Sequence, residues 1–144
     1  MRLVPDHVWA IITIWHEAQA EPFAGKVGVA EAIRNRTEAK HMSDGTVAGT
    51  CLWPMQFSGW NAHDATPKYR ERIEGAKLDT NDPIVQDCIR AWSEAEAGSD
   101  TVKGAMYYLN EAVTIKLYGK LPGWVARMDL VAEVEEHKFY KPKG

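Results

Sequence analysis

The chain carries little that would place it in a specialised class. Its 144 residues include only two cysteines, Cys51 and Cys88, with no metal-ligand spacing. Neither a disulfide scaffold nor a zinc ribbon is therefore encoded, and free thiols are the expectation. No apolar run approaches the roughly 20 residues of a membrane span. The first residues, one early basic side chain and then Pro5, Asp6 and His7, do not read as a secretory signal. With a formal charge of -3 there is no basic surplus to suit nucleic acid or an anionic membrane. His7, His16, His41, His63 and His137 show no pairing at metal spacing, so no metal or other cofactor is expected. No repeat or low-complexity block divides the sequence, and residues 1–144 read as one domain.

What the sequence does have is helical patterning followed by a short strand-rich part. Asp6 is expected to cap a helix over roughly residues 7–19, in which Val8, Trp9, Ile11, Ile12, Ile14 and Trp15 cover nearly the whole circumference. Such a helix is the expected buried centre, and Pro22 requires it to stop. A second helix is predicted over about residues 24–39, with Val29, Ala32 and Ile33 inward and Gly25 and Gly28 allowing close approach to a neighbour. Thr66-Pro67 opens a short helix to Leu78, and Asp82-Pro83 opens a longer one to Ala97, where Gly98 stops it. Ala105–Leu109 reads as a strand, and Arg127–Val134 alternates Met128, Leu130, Ala132 and Val134 as a half-buried strand would.

One residue stands out chemically. Glu17 sits at the end of the apolar first helix, where burial and the negative end of the helix dipole both favour a protonated carboxyl. A carboxylic acid in that state can deliver a proton near neutral pH. The plainer alternative is a helix-end glutamate paired with Arg34 or Arg36. Two aromatic and amide-rich stretches could form a sugar-binding cleft around it. One is the irregular segment from His41 to Pro67, with Trp53, Gln56, Phe57, Ser58, Trp60 and Asn61; the other is Tyr107, Tyr108 and Asn110. Strand alternation lets only one tyrosine face the cleft, and Tyr108 is preferred, with Asn110 on the other face or at the strand end. Gln56 is the expected amide contact, and Phe57 with Trp53 or Trp60 the expected sugar platforms. His137 reads as structural.

The run Glu17-Ala18-Gln19-Ala20-Glu21-Pro22-Phe23-Ala24-Gly25-Lys26-Val27-Gly28-Val29-Ala30, continuing through Ile33-Arg34-Asn35-Arg36, resembles the signature of SleB-type cell-wall hydrolases. These include spore-cortex-lytic enzymes and phage endolysins. The similarity continues in order through Gln56-Phe57-Ser58, then Gly104–Asn110, and ends in His137-Lys138-Phe139-Tyr140. Ala20, the stretch Ser99–Lys103 and Glu111 depart from the usual pattern.

The resemblance implies an α+β, mainly helical, lysozyme-like domain with a small antiparallel strand-rich part, related to lytic transglycosylases. It implies peptidoglycan glycan strands as partner, Glu17 as the catalytic acid and Glu21 in a supporting role. One carboxyl group suffices for a transglycosylase acting on the MurNAc-GlcNAc β-1,4 bond and leaving 1,6-anhydro ends. A muramidase needs a second carboxylate, for which Asp44 and Asp64 are the loop candidates. A non-enzymatic glycan-binding module would use the aromatics without Glu17. A zinc amidase would need clustered ligands that the histidine spacing does not supply. A monomeric endolysin, made in the host cytoplasm without a signal peptide or stable membrane insertion and reaching the periplasmic wall after holin opens the membrane, completes the expectation.

Overall fold

A computed structural model describes residues 4–54, 56, 57, 60 and 78–143. The helix expected to open at Thr66-Pro67 lies mainly outside these residues, as do Ser58, Asn61 and Asp64. Helices α1 (Asp6–Ala18), α2 (Phe23–Ala39), α3 (Val47–Cys51) and α4 (Pro83–Glu96) are followed by strand β1 (Tyr107–Leu109) and helix α5 (Glu111–Tyr118). A 3-10 helix (Gly123–Arg127) then leads into strands β2 (Met128–Val134) and β3 (His137–Pro142). The sheet is antiparallel in the order β1-β3-β2. No described helix is long and apolar enough to cross a membrane.

The buried centre is α2 rather than α1. Ten of its residues are buried, against six in α1, and it packs against α1, α3, α4, β1 and β2. Its sequence conceals this because Lys26, Glu31 and Arg36 are among the buried residues. Buried charges persist only with partners, and each of these ties a neighbouring segment to α2. Lys26 Nζ donates to the carbonyls of Gln19 and Glu21, at the C-terminal end of α1, where a cation also complements the helix dipole. Glu31 is fully buried and accepts from Ser99 Oγ (2.7 Å), Thr101 Oγ1 (2.9 Å) and the Val102 amide (2.9 Å). The Ser99–Lys103 stretch, which departs from the family pattern, is thereby fixed by a carboxylate.

Other expectations shift locally. Asp6 is the first residue of α1 and makes no cap; Pro5 occupies the N-cap position. Asp82 does cap α4, accepting from the Ile84 amide at 2.8 Å. In β2 the alternation is broken by a bulge: Leu130 pairs with Tyr140 and Ala132 with Phe139, leaving Val131 as the extra residue. Val131, Ala132 and Val134 then pack on the small core of Val102, Ala105 and Phe139, while Leu130 is exposed. Helix α5 was not legible as apolar periodicity, since none of its residues is buried; it is defined by its ends, with Asn110 capping the Val113 amide and Gly119 at φ 77°.

Cys51 and Cys88 are free and buried. Burial pushes the Cys51 thiol up to about 12 and the Cys88 thiol up to about 11, so neither is a reactive thiolate in the folded protein.

The sheet meets the helices at Gly28, where an added Cβ would stand 2.6 Å from Cζ of the fully buried Phe139 ring. That is closer than a real Cβ contact, and the ring is enclosed. Gly28→Ala is therefore expected to destabilise the protein by about 1–3 kcal/mol, as overpacking does. A lower urea midpoint with an unchanged m-value would confirm it, and wild-type stability would count against this packing.

Candidate active site

A cleft of about 540 Å³ opens between the helices and the sheet, lined by Glu17 and Arg36, the loop residues Met42, Gln56 and Phe57, the strand residues Tyr107 and Tyr108, and Trp124, Arg127 and Met128. Glu17 lies in the last turn of α1 and is half-buried, at the wall of the cleft rather than inside the core. The Tyr108 hydroxyl donates a hydrogen bond to its carboxylate. Burial, the nearby Glu17 charge and this bond hold the Tyr108 phenol well above its ordinary range, outweighing the opposing pull of Arg36. Tyr108 therefore remains a protonated donor at any working pH.

Arg36, at the C-terminal end of α2, is the second ionic group. Only 4 % exposed, it donates from Nε to the Met106 carbonyl (2.6 Å) and from Nη1 to Gln56 Oε1 (2.9 Å). Its guanidinium lies 4.4 Å from the Tyr107 ring centroid and 5.2 Å from that of Phe57. Burial lowers its pKa, opposed by Tyr108, Tyr107 and the Glu17 charge it faces; a guanidinium so placed still stays charged. The plainer reading of Glu17 thus contains something real, since Arg36 interacts with it. Arg34 instead donates to the carbonyls of Ala95 and Ser99.

The chain reversal after α2 supplies the far wall. Lys40 takes a left-handed conformation (φ 51°) as C-cap, and Met42 follows at φ 48°. Non-glycine residues adopt this region at a cost of about 1 kcal/mol or more. The turn brings His41 Nε2 to within 2.6 Å of the Tyr107 hydroxyl and places Met42 at the cleft. Burial, and then Arg36, lower the His41 pKa and favour its neutral ring. Trp124 completes an aromatic wall, 5.2 Å from Tyr107 and edge-on to Tyr140 at 5.4 Å.

Both tyrosines line the cleft, against the expectation of one. Alternation survives in their neighbours: Tyr107 meets His41 and Trp124, whereas Tyr108 meets His137 and Phe139. The sugar-platform assignments change as well. Phe57 is 2 % exposed beneath Arg36, and Trp60 is 4 % exposed, with its indole donating to Thr13 Oγ1 at 2.7 Å. Phe57 reaches the cleft wall but carries Arg36 on its ring, and Trp60 is not among the described cleft-lining residues. Trp53 is exposed but is not among the cleft-lining residues, and Ser58 lies outside the described residues. The Asn110 amide is engaged in capping α5 and reaches Glu136 at 3.4 Å, away from the cleft.

Glu21 lies behind the site. Its Oε1 is 3.2 Å from His137 Nδ1, at ion-pair distance but without hydrogen-bond geometry, linking the α1–α2 turn to β3. Asp44 is exposed and turned onto its own loop, where hydrogen bonds from the Thr46 hydroxyl and amide lower its pKa. Trp124, Arg127, Met42 and Met128 were missed from sequence because they sit in irregular segments or at element ends. The only signal for Trp124 was an aromatic following Pro122-Gly123. Among the described residues, no three His, Cys, Asp or Glu side chains converge on a metal-sized site.

Tyr108→Phe removes one donor from the Glu17 carboxylate and leaves the ring packing intact. Activity on cell walls is expected to fall about tenfold, the equivalent of one net hydrogen bond of about 1.4 kcal/mol, with the thermal midpoint nearly unchanged. Lysis at the wild-type rate would remove Tyr108 from the functional set.

Solved structures share this fold. The catalytic domain of the germination-specific lytic transglycosylase SleB from Bacillus anthracis superposes with a TM-score of 0.67 at 22% identity, covering 96% of this chain and 100% of that one. The catalytic domain of the Bacillus cereus SleB protein gives 0.67 at 22% identity, covering 94% of this chain and 89% of that one. No curated protein sequence matches. The Cell Wall Hydrolase family profile matches residues 20–140, beginning just beyond Glu17 and taking in most of the cleft. This chain belongs to the Cell Wall Hydrolase family.

Proposed function

We propose that residues 1–144 act as one catalytic domain that cuts peptidoglycan glycan strands at the MurNAc-GlcNAc β-1,4 bond by lytic transglycosylation. The observation that carries this reading is the charge inventory of the cleft. Among its described lining residues Glu17 is the sole carboxylate, accompanied by the cations Arg36 and Arg127. A two-carboxylate hydrolase needs a partner about 5–9.5 Å away across the scissile bond. Asp44 is engaged with Thr46 and does not line the cleft.

Glu17 protonates the glycosidic oxygen as the bond to the muramic C1 breaks, and an oxocarbenium-like centre develops there. The Glu17 carboxylate then takes the proton of that sugar's own 6-hydroxyl, whose oxygen closes the 1,6-anhydro ring. No water is consumed and the acid is regenerated. Tyr108 orients the carboxyl group through its hydrogen bond. Tyr107 and Trp124 offer ring faces to the sugars. Glu21, paired with His137, anchors the turn that follows Glu17. A monomer is the expected active unit.

Glu17→Gln is expected to lower the rate of sacculus digestion by about 10²–10⁴-fold while folding and glycan binding persist. Undiminished lysis would refute the acid role. Mass analysis of the wild-type digest is expected to show muramic ends lighter by one water than reducing ends. Reducing ends would instead establish hydrolysis and a second carboxylate.

The same reading extends to a phage endolysin released through a holin. It is supported by the resemblance of the Glu17–Arg36 stretch to a family that includes endolysins. Expression in the bacterial cytoplasm is expected to leave cells intact until a holin is co-expressed; lysis without one would overturn this part.

A further inference from the structure

We propose that Arg36 is the positioning residue of this cleft: it holds the Gln56 side chain so that its NH2 group faces the substrate, and it sets a fixed positive charge opposite Glu17. The inference rests on the proposed acid role of Glu17 and concerns what governs it.

The geometry leaves Arg36 no freedom. Its guanidinium is enclosed between Tyr107 and Phe57, and two of its nitrogens are committed to the Met106 carbonyl and to Gln56. Arginine has donors only, so the Gln56 atom facing it must be the oxygen. The Gln56 nitrogen is then directed away from Arg36, and among the described residues it donates to the Pro54 carbonyl, at 3.5 Å. One N–H of that NH2 group is used by Pro54, and the other, on the wall of the cleft, is available to an acceptor on a bound ligand. On an N-acetylated glycan, the matching acceptor is the acetamido carbonyl.

The charge acts on the other side. Arg36 from α2, Tyr107 and Tyr108 from β1 and Arg127 from the 3-10 helix are the described titratable or charged groups that share the cleft with Glu17. Of the two cations, Arg36 is buried and immobilised, whereas Arg127 is exposed to solvent screening. A fixed cation favours the ionised carboxylate, the form that must accept the 6-hydroxyl proton. Removing it should keep Glu17 protonated to higher pH. The alkaline limb of the pH profile, where the acid is lost, should therefore move up.

The test measures kcat, KM and kcat/KM against pH with soluble glycan strands stripped of stem peptides, on variants whose folding is checked by circular dichroism. Arg36→Met is expected to shift the alkaline limb upward by about one pH unit. Gln56→Leu is expected to raise KM about tenfold with the limb unmoved, through loss of one hydrogen bond. Gln56→Glu lies outside the core and tests the same idea if Arg36→Met fails to fold. A carboxylate there neutralises Arg36 and replaces the donor with an acceptor, so KM should rise and the limb should move up. A purely structural Arg36 would lower activity uniformly with no displacement of the limb. An unmoved limb in Arg36→Met or Gln56→Glu, or an unchanged KM in Gln56→Leu, overturns the proposal. If Glu17→Gln is active the acid reading itself has failed; if it is inactive while the limb stays fixed, only the role of Arg36 falls.

Discussion

The fold depends on one unusual constraint, that its central helix carries ionic side chains into the interior and each must find a partner there. An unpaired buried charge would cost several kcal/mol, so the segments around α2 are held where they can supply that partner. Lys26 gathers the end of α1, Glu31 gathers the turn before β1, and Arg36 gathers the Met106 backbone and Gln56. These three positions run along one helix, and the last of them lies at the cleft. Packing and site construction are therefore the same set of contacts at that end of the molecule.

That arrangement explains how irregular backbone can form a defined cleft. Gln56 and Phe57 belong to a loop, Trp124 to a 3-10 turn, and Tyr107 and Tyr108 to a three-residue strand. None of these is a rigid scaffold alone. Arg36 touches three of the five, with guanidinium contacts to Gln56, Phe57 and Tyr107, and Trp124 packs at a tilt against Tyr107 in turn. Hydrogen bonds made by a charged donor are worth about 1.5–3 kcal/mol each, enough to select one loop conformation from many.

The helices were legible because burial in them follows a period. The predicted spans of α1, α2 and α4 agree with the structure to within a residue or two, and the β1 and β2 regions were recognisable as strands. The rank of α1 and α2 was not legible, because hydropathy scores Lys26, Glu31 and Arg36 as surface residues, and the partners of Glu31 and Arg36 lie far away in sequence. Glu31 and Ser99 illustrate the distance involved, 68 residues apart in the chain. In the cleft, Glu17 and Tyr108 could be singled out from position and chemistry. The burial of Phe57 and Trp60 was not legible, because an aromatic in a loop gives no indication of which face is covered. The capping role of Asn110 was not legible, because a helix cap and a sugar contact call for the same amide.

Helix α5 joins Tyr108 to Trp124, two walls of the cleft, yet buries none of its own residues. Val113, Ile115, Leu117 and Tyr118 are all exposed, and among the described residues it is held mainly by the Asn110 and Gly119 caps, the Thr114 hydroxyl on the Asn110 carbonyl and the Glu111–Lys138 ion pair. Folding therefore depends little on its length or composition. In engineering terms the helix is a spacer between two cleft walls, one whose length can be altered without opening a cavity in the core beneath it.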